Sequence, residues 1–145
     1  MFRHILLPTD GSPLSEAAMR KGIQFAKTIN ARVTGFCVIP KLRYFSYDSD
    51  IGPEFEKQAA AAVQAEVNKN RLAIEKAAKE ADVPCQTAQE ISDQPYEAII
   101  EAAQRRECDL IIMASHGRRG VQGLLLGSET QKVLTHSKIP VLVYR

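Results

Sequence analysis

The most constraining feature of this sequence is a continuous apolar run that ends in a glycine-punctuated loop. The run follows Asp109 and reads Leu-Ile-Ile-Met-Ala over residues 110–114. Continuous apolar runs of this length are typical of strands buried on both faces of a sheet. The next thirteen residues carry glycines at positions 117, 120, 123 and 127. A helical pattern then begins at Ser128, with Glu129 in its first turn.

A buried strand, a glycine loop and a helix N-terminus are the parts from which α/β proteins build phosphate sites. Glycines let backbone N–H groups approach an anion, and the helix adds its unpaired N–H groups and the positive end of its dipole. Ser128 adds a hydroxyl donor at the same point. The alternative is a surface loop whose glycines only allow it to turn, because short glycine patterns also match by chance.

Strand and helix patterns alternate along the whole chain. Strands are predicted at 5–7, 33–39, 84–90, 109–114 and 141–143, and helices from 13, over roughly 54–81, and at 96–103 and 128–136. Ser12 is placed to cap the first helix, with Pro13 in its first position. The long helix carries Phe55, Ala59, Val63, Val67, Ile74 and Ala81 on one side, and residues 40–53 lack clear periodicity. This alternation predicts an α/β fold, a parallel sheet covered by helices on both faces.

Ligands of such sheets bind beyond the carboxyl ends of the strands, at the point where the strand order reverses. Several segments are predicted to meet there: Pro8, Thr9 and Asp10 after the first strand, Val38 near the end of the second, and Met113 and Ala114 at the end of the fourth. We expect these ends and the glycine loop to face one crevice.

Three kinds of side chain near this crevice have both a functional and a structural interpretation. Asp10 could accept hydrogen bonds from ribose hydroxyls or only close an Asx-type turn. His116 could act as an acid, a base or a ligand partner, or it could simply shape the loop. Arg118 and Arg119 could pair with a triphosphate, or they could remain solvated.

Composition and charge are those of an ordinary globular chain. Its 145 residues match the usual size of one domain, which we place over residues 1–145. The net charge of +2 comes from scattered basic residues and argues against a dedicated nucleic-acid binder. Three widely spaced cysteines without a C-x-x-C pair favour a reducing compartment over disulfides or zinc. No apolar run approaches the roughly 20 residues of a membrane helix, and no signal region is evident, so we expect a soluble, cytoplasmic protein.

Known nucleotide and phosphate motifs narrow the chemistry. The dinucleotide pattern G-x-G-x-x-G should follow the first strand, where residues 9–12 read Thr-Asp-Gly-Ser instead. The Walker A pattern needs a lysine before its Ser or Thr, and here Gly127 is followed directly by Ser128. Pro8 stands where a D-x-D-G-[S/T] phosphatase carries its nucleophilic aspartate. These departures argue against hydride transfer and against P-loop or phosphatase chemistry.

With these residues in view, the chain closely resembles the universal stress protein family over its full length. The resemblance rests on residues 5–12 (Ile-Leu-Leu-Pro-Thr-Asp-Gly-Ser), 37–40 (Cys-Val-Ile-Pro) and 109–145. Its most specific part is the family's ATP-binding pattern, G-x-x-G, nine residues and G-[S/T]. Gly117, the following nine residues and Gly127-Ser128 match this pattern, while Ala114 stands in place of the first glycine.

The resemblance implies a Rossmann-like domain of the adenine nucleotide alpha hydrolase-like kind, with a five-stranded parallel sheet in the order 3-2-1-4-5. It also implies a homodimer that binds ATP, or AMP or ADP, with or without Mg²⁺. Carried over by position, Pro8, Thr9, Asp10 and Val38 surround adenine and ribose; Met113, Ala114, His116 and Gly117 line the middle; and Gly127, Ser128, Glu129 and Thr130 hold the phosphates. No catalytic residue and no protein metal ligand is assigned.

The last strand independently predicts a dimer. Residues 84–90 are polar, as in a protected edge strand, whereas Val141-Leu142-Val143 is apolar and carries no charge before Arg145. An unprotected edge invites pairing with a second copy about a two-fold axis.

The function expected from all of this is adenine-nucleotide binding with a regulatory role in stress response, without enzyme activity. Two alternatives remain open: a slow ATPase or nucleotidyl-transfer enzyme that uses Asp10 or His116, and a nucleotide-free dimeric interaction module.

Overall fold

Five strands and four helices alternate along the residues that the computed structural model describes, which are 1–41, 52–118, 120 and 126–145. In chain order they are β1 (His4–Pro8), α1 (Pro13–Thr28), β2 (Arg32–Ile39), α2 (Pro53–Ala81), β3 (Cys85–Ile91), α3 (Pro95–Arg105), β4 (Leu110–Ala114), α4 (Ser128–His136) and β5 (Val141–Tyr144). Most of the connection predicted at 40–53, together with Arg119 and Gly123 of the glycine loop, lies outside the described residues.

The strands form one parallel sheet in the order β3-β2-β1-β4-β5, which confirms the predicted architecture. Pro8 at the end of β1 lies opposite Phe36 of β2, and Ile5 lies opposite Leu110 of β4. β1 and β4 are neighbours in the sheet but not in the chain. The strand order therefore reverses between them, and their carboxyl ends frame the crevice in which such folds bind ligands.

Two apolar clusters cover the two faces of the sheet. One contains Leu7, Ile23 and Ile74 and joins α1 and α2 to the strands. The other contains Ile99 and Val133 and joins α3 and α4 to the opposite face. Gly35 of β2 brings α2 close, because a Cβ there would lie only 2.5 Å from Cδ1 of Ile74. This close approach places α2 against the middle of β2.

The long helix α2 extends past the sheet on which it packs. Its 29 residues span about 43 Å, whereas the eight residues of β2 span about 26 Å. Val67 and Ile74 are buried, but Phe55 in the first turn is 53% exposed. The side of α2 predicted to carry Phe55, Val67 and Ile74 is therefore not buried along its whole length, because the first turn lies beyond the end of the sheet.

Among the described helices, none combines the length and the apolar character needed to cross a bilayer.

Candidate functional site

The loop between β1 and α1 is held in place by a buried serine of α1. The Thr9 N–H donates to the Phe36 carbonyl oxygen at 2.9 Å, which extends the β1–β2 pairing by one residue. The Ser15 hydroxyl lies 2.6 Å from Thr9 Oγ1 and accepts a hydrogen bond from the Asp10 N–H at 3.1 Å. Ser15 therefore orients both residues, although it was not among the predicted site residues.

The Asp10 carboxylate connects two loops. Its Oδ1 accepts the Ser12 N–H at 2.9 Å, which closes an Asx-type turn, and its Oδ2 accepts the Arg118 N–H at 2.8 Å from the glycine loop. Burial by itself raises the pKa of Asp10. Hydrogen bonds from Ser12 and Arg118 and the Arg118 charge outweigh that effect, so the pKa of Asp10 lies below its ordinary value. The group is thus a stable anion at the crevice.

Gly11 leaves space for side chains that reach over the β1–α1 loop. Its φ of 77° lies in the left-handed region that favours glycine. A Cβ on Gly11 would lie 2.7 Å from Asn70 Oδ1 and 3.1 Å from Arg118 Nη2. The Arg118 guanidinium also forms an ion pair with Glu66 of α2.

The glycines of the second loop make room for neighbouring side chains as well as for a turn. A Cβ on Gly117 would collide with the Asp10 carboxylate, and one on Gly120 would collide with the His116 ring. A Cβ on Gly127 would lie 3.1 Å from His116 Cα and 3.3 Å from the Ser115 carbonyl oxygen. The structure therefore brings Asp10, His116 and these glycines together and gives the glycines a packing role.

The N-terminus of α4 faces this loop without a side-chain cap. Its N-cap is Gly127, whose own N–H donates to the Ser115 carbonyl oxygen at 2.6 Å. Ser128, the first helical residue, is exposed. The first N–H groups of a helix have no partners within the helix. They are the groups that an anion at this position would meet.

The next two side chains of α4 form hydrogen bonds with other elements of the fold. The Glu129 carboxylate accepts the Tyr96 N–H at the start of α3, at 2.9 Å. The buried Thr130 hydroxyl donates to the Ala114 carbonyl oxygen at 3.0 Å. Glu129 and Thr130 were predicted to hold phosphates. Because their side chains are engaged, that prediction now rests on their backbone N–H groups.

The position of the missing motif glycine does not require a glycine conformation. Asn30, Asp82 and Glu107 are the non-glycine residues with positive φ in the described chain, and Ala114 is not among them. Ala114 is the last residue of β4, and the next residue, Ser115, continues the ladder by donating its N–H to the Tyr144 carbonyl oxygen at 2.7 Å.

His116 has a neighbour at its ring nitrogen. Its Nδ1 lies 3.1 Å from the Ser115 hydroxyl, within hydrogen-bond distance. The half-buried ring fits against Gly120. These contacts match the interpretation of His116 as a residue that shapes the loop.

A cavity of about 230 Å³ adjoins Thr9 on the α2 side of the sheet. Its polar lining comes from β2, β3 and α2 and includes Cys37, Asn70, Thr87 and Gln89. Burial and the nearby Asp10 carboxylate raise the pKa of the Cys37 thiol, so the thiol stays protonated. Thr87 and Gln89 are two apart on β3, a spacing by which the sequence could have placed both on one face.

Two of the remaining predicted residues lie towards the opposite face. Val38 packs on the cluster that contains Phe36, and Met113 is buried within that cluster. Pro8, the last residue of β1, is partly buried. The structure thus places Val38 and Met113 on the α3 side and the Thr9 cavity on the α2 side. Among the described residues, no group of three or more His, Cys, Asp or Glu could hold a metal ion.

Comparisons with known proteins identify the family. The family model for the universal stress protein family matches residues 1–145. A universal stress protein of Thermus aquaticus is 33% identical over 150 residues that cover 100% of both chains. The solved structure of MJ0577 from Methanocaldococcus jannaschii is 29% identical, with a TM-score of 0.82, and the match covers 99% of this chain and 95% of that one.

The chain belongs to the universal stress protein family. A universal stress protein solved in complex with cAMP shares the fold, with 23% identity, a TM-score of 0.69 and coverage of 99% of this chain and 97% of that one.

Proposed function

We propose that this protein binds an adenine nucleotide, ATP or its relatives ADP and AMP, and acts as a regulator in the stress response. One observation carries the proposal. At the β1–β4 switch point, a carboxylate suited to ribose hydroxyls and an uncapped helix N-terminus suited to phosphate belong to adjoining loops, joined by the hydrogen bond from Arg118 to Asp10.

The charge pattern supports a ligand with two chemically different ends. Asp10 is an anion and accepts hydrogen bonds, as sugar hydroxyls require. Gly127 and Ser128 open α4, where backbone donors and the helix dipole favour phosphate. A nucleoside phosphate satisfies both ends. The cAMP complex of another family member shows that the same fold holds an adenine nucleotide in that protein.

Calorimetry on the purified protein tests this proposal. We expect ATP, ADP and AMP to bind more tightly than adenosine, because adenosine lacks the phosphates that meet α4. Titrations with and without Mg²⁺ would show whether the metal enters with the nucleotide. Absence of binding by every adenine compound would favour the nucleotide-free interaction module instead. Identification of any small molecule that copurifies with the protein gives an independent answer.

We propose further that the protein is not an efficient enzyme. A general base works best with a pKa near the working pH, whereas Asp10 is held below its ordinary pKa by Ser12 and Arg118. Turnover should therefore fall far below the roughly 1–1,000 s⁻¹ typical of enzymes. Multiple-turnover ATP hydrolysis in that range, abolished by Asp10→Asn or His116→Ala, would contradict this.

A homodimer through β5 completes the proposal. β5 is an edge strand, and its Leu142 side chain is 43% exposed. Pairing with a second copy would use the free edge and cover this side chain. Light scattering should show a dimer at micromolar concentration, and Leu142→Lys should shift it towards monomer. A wild-type monomer would exclude the dimer.

For the cellular compartment, the cysteine pattern supports the cytoplasm.

A further inference from the structure

Arg118 joins three parts of the molecule at the crevice. Its backbone N–H donates to Asp10 in the β1–α1 loop at 2.8 Å, and its guanidinium pairs with Glu66 on α2. Arg118 itself belongs to the loop that leads to α4. We name the arrangement of Asp10, Glu66 and Arg118 the Arg118 clasp.

The fold leaves room for this clasp. Gly11 has no Cβ, and the space beside it is occupied by Arg118 Nη2 and by the amide of Asn70. The guanidinium therefore lies over the β1–α1 loop instead of extending into solvent. The Arg118 side chain is 39% exposed and that of Glu66 is 30% exposed, so their ion pair can be reached from outside.

The two contacts that Arg118 makes in the clasp differ in whether a ligand could replace them. The tie to Asp10 uses the backbone of Arg118, so it does not require the guanidinium. The ion pair with Glu66 uses the guanidinium. Guanidinium groups bind phosphate oxygens in the same bidentate way as they bind a carboxylate. A partly exposed ion pair of this kind is weak, and several phosphate charges can compete for the cation.

We propose that the Arg118 clasp makes the site sensitive to phosphate charge: a polyphosphate nucleotide binds by taking the Arg118 guanidinium from Glu66, and a neutral nucleoside leaves that pair intact. Glu66 thus acts as an internal competitor that lowers affinity for the most highly charged ligand. Arg118 thereby adds to the preference for ATP over adenosine that the N-terminus of α4 provides. This inference rests on the proposed nucleotide function.

A set of four variants of the full chain separates these roles. Glu66→Gln frees the guanidinium, and Arg118→Gln removes it but keeps the backbone hydrogen bond to Asp10. The double variant shows whether the two effects depend on each other. Glu80→Gln is the matched control, because Glu80 pairs with Lys76 on the exposed far part of the same helix and its substitution changes the net charge equally. Each protein is titrated with ATP, AMP and adenosine, after circular dichroism has shown that it is folded.

The clasp predicts a distinct pattern of affinities. Glu66→Gln should bind ATP about two- to fivefold more tightly and leave adenosine unchanged. Arg118→Gln should bind ATP about three- to tenfold more weakly, and the double variant should match Arg118→Gln. AMP should show smaller changes in the same directions. Glu80→Gln should stay within about twofold of wild type. ATP binding that appears only in Glu66→Gln would also support the clasp, as a complete block.

Other outcomes would overturn the clasp while leaving the proposed function in place. The clasp is wrong if Glu66→Gln binds ATP no more tightly than wild type, or if Glu80→Gln raises ATP affinity by as much as Glu66→Gln does. It is also wrong if Glu66→Gln still raises ATP affinity when Arg118 is replaced. The same holds if Glu66→Gln raises the affinity for adenosine as much as that for ATP. If no variant binds any adenine compound, the proposed function fails, and the clasp fails with it.

Discussion

Helices α1 and α4 each follow one of two neighbouring strands and begin near the carboxyl edge of the sheet, yet their first turns are built differently. In α1, Ser12 is the N-cap and its hydroxyl accepts the Ser15 N–H at 3.3 Å, while Pro13 in the first turn has no N–H to satisfy. In α4, Gly127 is the N-cap and has no side chain with which to cap.

Because of this difference, the two loops present different kinds of hydrogen-bonding group to the crevice. The β1–α1 loop satisfies its own helix and presents a side chain, the Asp10 carboxylate. The β4–α4 loop leaves its helix uncapped and presents backbone N–H groups. The hydrogen bond from Arg118 to Asp10 holds the two loops together. Four sets of variants test this difference.

The largest effect is expected from Gly127→Val. A side chain at this N-cap would stand at the proposed phosphate position, and its Cβ would press on the backbone of Ser115 and His116. We expect ATP affinity to fall about a hundredfold or more and stability to fall by about 1–3 kcal/mol. Calorimetry and urea unfolding measure the two effects.

Gly52→Val is the control for this change. Gly52 is the N-cap of α2, with φ −65° and ψ 162° against −69° and 155° for Gly127, and a Cβ there would meet nothing within 4 Å. It should leave ATP affinity unchanged. If Gly127→Val binds ATP within about tenfold of the wild-type affinity, α4 does not form part of the site.

Asp10→Asn tests the link between the loops. Asparagine has one acceptor oxygen for the two N–H groups that Asp10 receives, so we expect a loss of about 1–2 kcal/mol of stability and weaker binding of adenosine as well as ATP. Binding of adenosine by the variant as tight as by wild type would show that Asp10 does not touch the ribose.

The pH dependence of stability gives a second readout for Asp10. Its folded pKa lies below the ordinary 3.8, so the carboxylate stabilises the folded state above that value, and the contribution is lost as the pH falls through the lowered pKa. The stability difference between wild type and Asp10→Asn should therefore be constant above about pH 5 and shrink at lower pH. A difference that does not change with pH would contradict the assigned contacts.

Paired alanine substitutions test the comparison most directly. Ser128→Ala removes an exposed hydroxyl at the start of α4. It should lower the affinity for ATP about ten- to a hundredfold, with little effect on the affinity for adenosine. Ser12→Ala removes the cap of α1 and should cost about 1 kcal/mol of stability. The ratio of ATP to adenosine affinity should not change in Ser12→Ala. The same effects from both variants would mean that the two helix ends are equivalent.

The smallest effect is expected at Ala114. Its φ is not positive, so Ala114→Gly should change ATP affinity less than about twofold and cost about 0.5–1 kcal/mol of stability. Calorimetry and unfolding again decide. If the wild type binds no ATP and Ala114→Gly restores binding, then the methyl group blocks the site.

Much of the fold could be predicted from local pattern. The helix at Ser128–His136, the cap at Ser12 and the five strands appear within a few residues of their predicted positions. These features depend on neighbours in the chain, that is, on capping chemistry and on the run of apolar residues. The exposure of Phe55 could not be predicted, because it depends on where the sheet ends beneath α2.

The sequence by itself determined the alternation of elements and, through Asp10 and the glycines, predicted where a ligand would bind. Only the tertiary structure decided which groups share that place. Ser15, Asn70 and Glu66 come from helices that face the crevice, and their roles depend on contacts between residues far apart in the chain. The packing of Gly117 against Asp10, and of Gly127 against His116, has the same origin. Hydrogen bonds and close packing act between atoms that the folded backbone brings together, and no periodicity along the chain records those distances.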